Sequence, residues 1–460
     1  MSNKTKFDKD DILCDPSLPV VYEKIREMAK ELAVLGKIDI ASRITDLLLS
    51  QNRTEHGFSL MQFLNFAFEQ TGDWPSAIPQ SARSKDALDE LEIPPSGSMD
   101  EKRYDVLINP TEPFQRDPGL CLTIAVVLCE KRGKTDLEEI KQDERVVRAL
   151  EQITERFHAY FGALIQHRKI WPLLASGVVA QQLGVDDAKL CATAEDLAET
   201  IRIRLEEGRQ KADHEGKPIK ELLEILVENT RKHAGPLYEE LHEDPPESYL
   251  HKPATEKDIK DMEKRLKISP LPDDYKEFLL ASNGIESVYD GILLIPSLFD
   301  TQNVVLDDIS STVEKVDLEL VEDSTGTSQL IREAGREAWP PATKHIGIAP
   351  TDAMVYVLIG PYDVKATIKA YKKALASDKV TDVMKAETTR AIEDRYGSME
   401  AFEKMEWAMI YGSDYVADCP IGTFRSWLED IVRTSGKPYD SNSGNSCLAY
   451  ECRAEHARRG

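Results

Sequence analysis

The sequence predicts a chain in two parts: an all-α first part, then a module that mixes helices with strands. Two observations carry this. From Leu18 to about His242 nearly every long segment places apolar residues at helical spacing. After the polar, proline-bearing stretch His242–Pro253, short apolar runs that read as strands appear between helices. The composition agrees with a folded protein of two to four domains: 460 residues, 41% hydrophobic, 30% charged, with 24 Gly and 24 Pro.

The elements follow in order. Residues 1–15 form a polar, charged leader expected to be flexible. Val21, Ile25, Met28 and Leu32 make one helical stripe. Ile40, Ile44, Leu47 and Leu48 make a second, and Leu60, Phe63, Leu64 and Ala67 a third. Prolines from Pro75 to Pro118 break residues 72–118 into loops and short helices. Leu120–Lys131 carries few charges and reads as a buried helix. Thr135 opens a longer helix whose inner stripe runs through Val146, Leu150, Ile153 and Phe157. Helices from Asp186 to about Glu207 and from Pro218 to about Leu241 complete an all-α domain over residues 16–243.

The second domain covers 244–435. Thr255 caps a helix, with Asp258 three residues on as the capping-box carboxylate and Ile259, Met262 and Leu266 as its apolar stripe. Pro272 opens a second helix with Tyr275, Phe278 and Leu279 inward, and Asn283-Gly284 supplies a left-handed stop. Gly291–Ile295, His345–Ala349, Met354–Gly360 and Trp407–Tyr411 read as strands, and Phe424, Trp427, Leu428 and Ile431 as one face of a closing helix. Two inserts interrupt the plan: an acidic, irregular one at 301–340 and a helical hairpin rich in Lys, Glu and Ala at 362–405. Residues 436–460, rich in Gly, Ser and Asn at their start, are expected to fray.

Charge narrows the function classes. Acidic residues outnumber basic ones by 82 to 58, a formal charge of −24. Such a surface repels phosphate backbones, which argues against general nucleic-acid binding, and it attracts a basic protein partner. The opening MSNKTKFDKDD lacks the apolar region of a secretory signal. The longest apolar stretch, near Leu120 to Cys129, is too short to span a membrane, and no lipidation box is seen. Seven scattered cysteines suit a reducing compartment, the cytoplasm or the nucleus, better than a disulfide framework.

The run from Thr255 to Gly284 resembles the opening of the SUKH superfamily. That group includes the fungal Smi/Knr-type regulators of cell-wall synthesis and bacterial immunity proteins. The residues that carry the likeness are Thr255, Ile259, Glu263, Leu271, Pro272, Asp274, Tyr275, Phe278, Leu279, Asn283 and Gly284. The later strands and the closing helix fit in order, so the resemblance covers about residues 250–435, and the two inserts depart from the family pattern. It implies an α+β fold with helices packed on one mainly antiparallel sheet. It also implies a function by binding: a hub in signalling and wall assembly, as in fungal members, or an antidote that neutralises a toxin, as in bacterial ones. Residues 16–243 resemble no family.

Catalytic signatures are missing: no phosphate loop, no dinucleotide fingerprint and no nucleophile elbow occur. The reading is therefore a non-enzymatic protein-binding regulator or scaffold, without cofactor. Its rivals are an immunity-type antidote for a basic nuclease and an enzyme with its site in the helical domain. Partner-facing candidates are Asp274, Asn283, Asp290, Asp307 and Asp308. The last two open the acid-rich run Asp307–Asp323, whose charges could mimic a phosphate backbone and enter a basic cleft. The motif aromatics are read as core. Cys447, Cys452 and His456 supply three soft ligands where structural zinc wants four, with Cys419 a distant fourth, so they are read as ordinary tail residues. His158 and His167 point to different helix faces and are read as surface or helix-end residues.

Overall fold

The computed structural model describes residues 8–50, 61–94, 97–110, 117–155, 157–268, 270–308, 344–350, 354–413 and 416–437, with isolated positions among 318–340 and at 448 and 452. It forms two compact units. One comprises Met1–Cys14, Val20–Gln210 and Gly444–Gly460, the other Asp15–Pro19 and Lys211–Ser443.

Every regular element described in the first unit is helical. Leu18–Val34 and Ile38–Ser50 bury the stripes the spacing predicts, Val21, Ile25 and Leu32 on one and Ile40, Ile44 and Leu48 on the other. Pro118–Lys131 is buried along almost its whole length and is opened by Asp117, whose carboxylate accepts the Leu120 N–H at 2.9 Å. The helix expected from Thr135 onward is instead two. Asp136 caps Leu137–Lys141, and a new helix, Glu144–Glu155, starts after Asp143. The break has a polar cause. Asp143 is buried, bridges to Lys134 at 2.9 Å and Arg145 at 3.1 Å, and accepts the Arg145 N–H.

The units part at Gln210/Lys211, ahead of the proline-bearing stretch expected to divide them. The reason lies in helix Ile219–His233. Its stripe of Ile219, Leu222, Leu223, Leu226 and Val227 joins the same core as Tyr275, Phe278, Trp427 and Ile431. Polar ties hold it there: Glu277 accepts the Ile219 N–H at 2.9 Å, and Asn229 donates to the Ser435 hydroxyl at 3.1 Å. Charge and period mark Ile219–His233 as helical, but neither says which body its apolar side seeks.

The second unit carries the antiparallel sheet. β1 (Val288–Tyr289) and β2 (Leu294–Ile295) form a small hairpin. β3 (Val305–Asp308), β4 (Lys344–Gly347), β5 (Met354–Ile359), β6 (Ala408–Ser413) and β7 (Val416–Gly422) form a sheet in sequential order, every neighbouring pair antiparallel. The strands expected at His345–Ala349, Met354–Gly360 and Trp407–Tyr411 are β4, β5 and β6. Gly291–Ile295 is not one strand. It straddles the β1–β2 turn, where Asp290 accepts the N–H groups of Ile292 and Leu293 at 2.8 Å each and leaves Ile292 65% exposed. β3, inside the insert expected to be irregular, and β7 carry no strand signal of their own.

Alternation along the strands sends side chains to two different cores. Tyr356 and Leu358 on β5 and Met409 on β6 face the core shared with the Thr255-capped helix Glu256–Leu266, the helix Asp273–Ala281 and the closing helix Phe424–Ser435. Val357 and Ile359 on β5 and Ala408 and Ile410 on β6 face the other way. There they meet Val364, Ile368 and Tyr371 of Pro361–Leu375, Ile392 of Asp382–Tyr396, and Phe402 of Met399–Lys404. The second insert is thus three helices rather than a two-helix hairpin, and it covers the sheet face that a single helical layer would leave bare. Leu318, Leu320, Val321 and Leu330 of the first insert join this second core. Most of that insert, and most of residues 436–460, lie outside the described residues.

The helix Asp273–Ala281 stops at an extended Ser282 (φ −153°), ahead of the Asn283-Gly284 pair expected to end it; Gly284 is left-handed for the turn that follows. Gly284 has φ +99°, and a Cβ there would lie 2.8 Å from the Leu298 carbonyl oxygen and 2.9 Å from His251 Nδ1. Among the described residues no helix is long and apolar enough to cross a membrane.

Candidate functional site

A cleft of about 460 Å³ opens in the second unit where the starts of helices Asp273–Ala281 and Phe424–Ser435 meet the chain from Arg395 to Ala408. Its apolar lining includes Leu271, Leu358, Met405, Trp407 and Phe424. Its polar lining carries both signs: Asp273, Asp274 and Glu406, with Arg395 and Lys404. The volume is that of a small-ligand site or of a pocket for one or two anchoring side chains.

The walls are held by polar ties that the sequence spacing provides. Glu263, on the capped helix, accepts the Leu271 N–H at 2.9 Å and fixes the Leu271-Pro272 corner. Asp274 joins two helix starts: Oδ1 accepts its neighbour Tyr275's N–H at 2.8 Å, and Oδ2 accepts the Arg425 N–H at 2.9 Å. Burial pushes the Asp274 carboxyl above its usual range, and the two N–H groups oppose that shift. Arg425 extends the tie, donating to the Lys217 carbonyl at 2.7 Å and to Glu277 at 2.8 Å. Thr423 and Ser426 form a capping box at the mouth of the closing helix. Behind the wall, Tyr275, Phe278 and Phe424 form an aromatic cluster with ring centroids 5.0–5.7 Å apart. On the opposite side the Tyr396 hydroxyl donates to the Leu320 carbonyl at 2.5 Å.

Three charges of the cleft are already answered by neighbours: Lys404 by Glu400 at 2.5 Å, Glu406 by Lys365 at 2.6 Å and Asp273 by Lys276 at 2.6 Å. The arrangement suits recognition, with an apolar floor for an anchoring side chain and a mixed-charge edge that selects orientation. Among the described residues no cluster of three His, Cys, Asp or Glu side chains stands ready to hold a metal.

Of the five partner-facing candidates, Asp274 alone lines the cleft, where it is half-buried and engaged in structure. Asn283 pins a loop: its side-chain oxygen accepts the Thr301 N–H at 2.9 Å, and its carbonyl lies 3.1 Å from His251 Nδ1. Asp290 holds the β1–β2 turn, and burial raises its pKa. Asp307 and Asp308 sit on the edge strand β3, in register with His345 and Lys344; their side chains, and the rest of the acidic run but for Leu318, Leu320 and Val321, lie outside the described residues. Cys447, His456 and the side chain of Cys419 are likewise outside them, while Cys452 is a buried thiol 3.6 Å from the Thr193 hydroxyl. The His158 side chain is not described; His167 is mostly buried, and burial lowers its pKa. The spacing argument missed Arg395, Lys404, Glu406 and Trp407. They sit around the end of the second insert, where composition reports helix and charge but not which residues turn toward the first helices of the module.

Residues 253–361 match the model of the SMI1 / KNR4 family (SUKH-1). The match contains the capped helix, the Leu271–Gly284 run and strands β1 to β5; the Trp407 side of the cleft lies beyond it. No curated protein and no solved structure matches the chain.

Proposed function

Starting from a SUKH-1 segment at residues 253–361 and the cleft beside it, we propose that this protein is a non-enzymatic regulator or scaffold that works by binding another protein. Its setting is intracellular signalling or cell-wall synthesis control of the fungal Smi/Knr kind. The observation that carries the reading is the cleft, with its apolar floor at Trp407, Met405 and Phe424 inside a mixed-charge edge. A partner seats an apolar anchor there, while the chain's net charge of −24 favours a basic partner and speeds its capture.

The test blocks the cleft without touching the core. Ala401 is exposed and lines the opening, so Ala401→Arg should fill it and leave the fold intact. Tagged wild-type and variant proteins are purified from the host at low and high salt, and co-purifying proteins are compared. A partner recovered with wild type and lost with the variant is the expected result. An unchanged partner set refutes the cleft, and no partner at low salt refutes binding as the function.

The same charge favours a second reading, an immunity-type antidote that occupies the active site of a basic nuclease. The two differ in affinity: an antidote holds one partner very tightly, whereas a regulator binds several host proteins weakly. Co-expression with a candidate nuclease restores growth only under the second reading.

A further inference from the structure

Helix Pro361–Leu375 gathers its basic residues on one side. At about 100° per residue, Lys365, Lys369, Lys372 and Lys373 fall within an arc of roughly 100°, and Tyr362 shares it. All five are exposed, Tyr362 to 82%. The opposite side, Val364, Thr367, Ile368, Tyr371 and Ala374, is buried, and so is Asp363, the helix's one acid. A groove of about 450 Å³ runs along this basic side, lined by the four lysines, Ile368 and Glu403. Neighbouring acids answer two of the lysines: Glu406 lies 2.6 Å from Lys365 and Glu403 2.9 Å from Lys372. Lys369 and Lys373 make no ion pair among the described residues.

In a chain of net charge −24, four lysines converging on one groove run against the composition. We propose that this groove is a docking surface for an acidic peptide segment of a partner protein. Its carboxylates meet Lys369 and Lys373. The groove's dimensions fit: eight residues of helix separate Lys365 from Lys373, about 12 Å, which an extended segment of about four residues spans. The class of partner follows from charge at two ranges. Nucleic acid and anionic membrane carry extended charge that the acidic body as a whole repels, whereas a short acidic segment meets the lysines before that repulsion accumulates. The groove shares no lining residue with the Trp407 cleft, although Lys365 of the groove pairs with Glu406 of the cleft, and Lys369 and Lys373 belong to the groove alone, so either can fail alone.

Fluorescence polarisation on the full chain tests this with a labelled synthetic peptide alternating glutamate and leucine. A lysine–leucine peptide and a single-stranded DNA oligonucleotide serve as comparison probes. The glutamate peptide should bind at low salt and release as salt rises. Lys369→Glu with Lys373→Glu should weaken it by roughly tenfold or more, and Lys369→Gln with Lys373→Gln by less. Lys257→Glu with Lys260→Glu, exposed on helix Glu256–Leu266, should leave it unchanged. Circular dichroism checks that each variant is folded. Undiminished binding by the charge-reversed or the glutamine variant, absence of binding at low salt, or tighter binding of the oligonucleotide or the lysine–leucine peptide would each overturn the proposal.

Discussion

Replacing Gly284 by alanine separates two costs that a left-handed glycine can carry. The first is backbone strain. At φ +99° an L-residue pays about 1–2 kcal/mol. The second is steric. The new Cβ would sit 2.8 Å from the Leu298 carbonyl oxygen and 3.3 Å from the Asp300 nitrogen. Neither backbone atom yields easily: Leu298 and Ile285 exchange hydrogen bonds at 2.9 and 3.3 Å, and Asp300 accepts the Val304 N–H. Overpacking of this kind adds about 1–3 kcal/mol, for a sum near 3 kcal/mol. Gly397 supplies the control. It ends helix Asp382–Tyr396 at φ +81°, and a Cβ there meets nothing within 4 Å, so Gly397→Ala should cost only the strain, about 1 kcal/mol. For a unit of this size 1 kcal/mol moves the melting temperature by about 2–4 °C. Calorimetry should therefore show the second unit's transition falling by about 9 °C for Gly284→Ala and about 3 °C for Gly397→Ala. Equal shifts for the two variants would refute the steric reasoning, and no shift in either would refute the strain.

Other outcomes follow from the caps and the buried acid. Thr255→Ala and Thr423→Ala each remove the hydroxyl of a capping box and should each destabilise the second unit by about 1 kcal/mol; a urea midpoint unmoved by both would show that the boxes hold nothing. Asp143 gives a pH dependence. Burial works against its charge, but the hydrogen bond from Lys134 and the contacts with Arg145 outweigh burial and hold its carboxyl at about 2, below the ordinary 3.8. A carboxyl depressed in the folded state adds stability above its unfolded pKa and loses it as pH falls toward the folded value. Between pH 3.8 and about 2 the wild type should thus lose melting temperature faster than Asp143→Asn, read by the fluorescence of Trp74 and Trp171. Parallel slopes would remove Asp143 from the acid response.

What the sequence shows plainly is local. The capped helix at Thr255, the inward Tyr275 and Phe278, the left-handed turn at Gly284 and the strands β4, β5 and β6 are each written in a few neighbouring residues, through cap chemistry, glycine, period and β-branched composition. What it hides is longer range. Gly291–Ile295 looks like a strand because its composition is apolar, but Asp290-Gly291 is a turn pair, and the pairing of Tyr289 with Leu294 decides. β7 contains Pro420 and Asp418 and lacks any strand pattern; its place comes from pairing with β6. The stretch from Pro218 to about Leu241 reads correctly as helical, although Pro236 starts a new helix, Gly235–Leu241, after Ile219–His233, and incorrectly as part of the first domain, because amphipathicity marks a buried side without naming what buries it. The cleft illustrates the same limit. Asp274 belongs to a motif and could be named in advance. Arg395 and Lys404 sit on the second and third insert helices and Trp407 just after them, brought to the cleft only by how the insert packs on the sheet.

The two-sided sheet bears on how this protein can be handled. A fragment cut to the family-matched boundary at residue 361 would keep β5 but discard β6, β7 and the helices behind them. Val357 and Ile359 would then face water, and β5 would offer an unprotected row of amide and carbonyl groups to any passing chain. Such a fragment should precipitate. Shortened versions meant for crystallisation or binding work need to begin ahead of Ile219 and continue through Ser435, so that both sides of the sheet keep their cover.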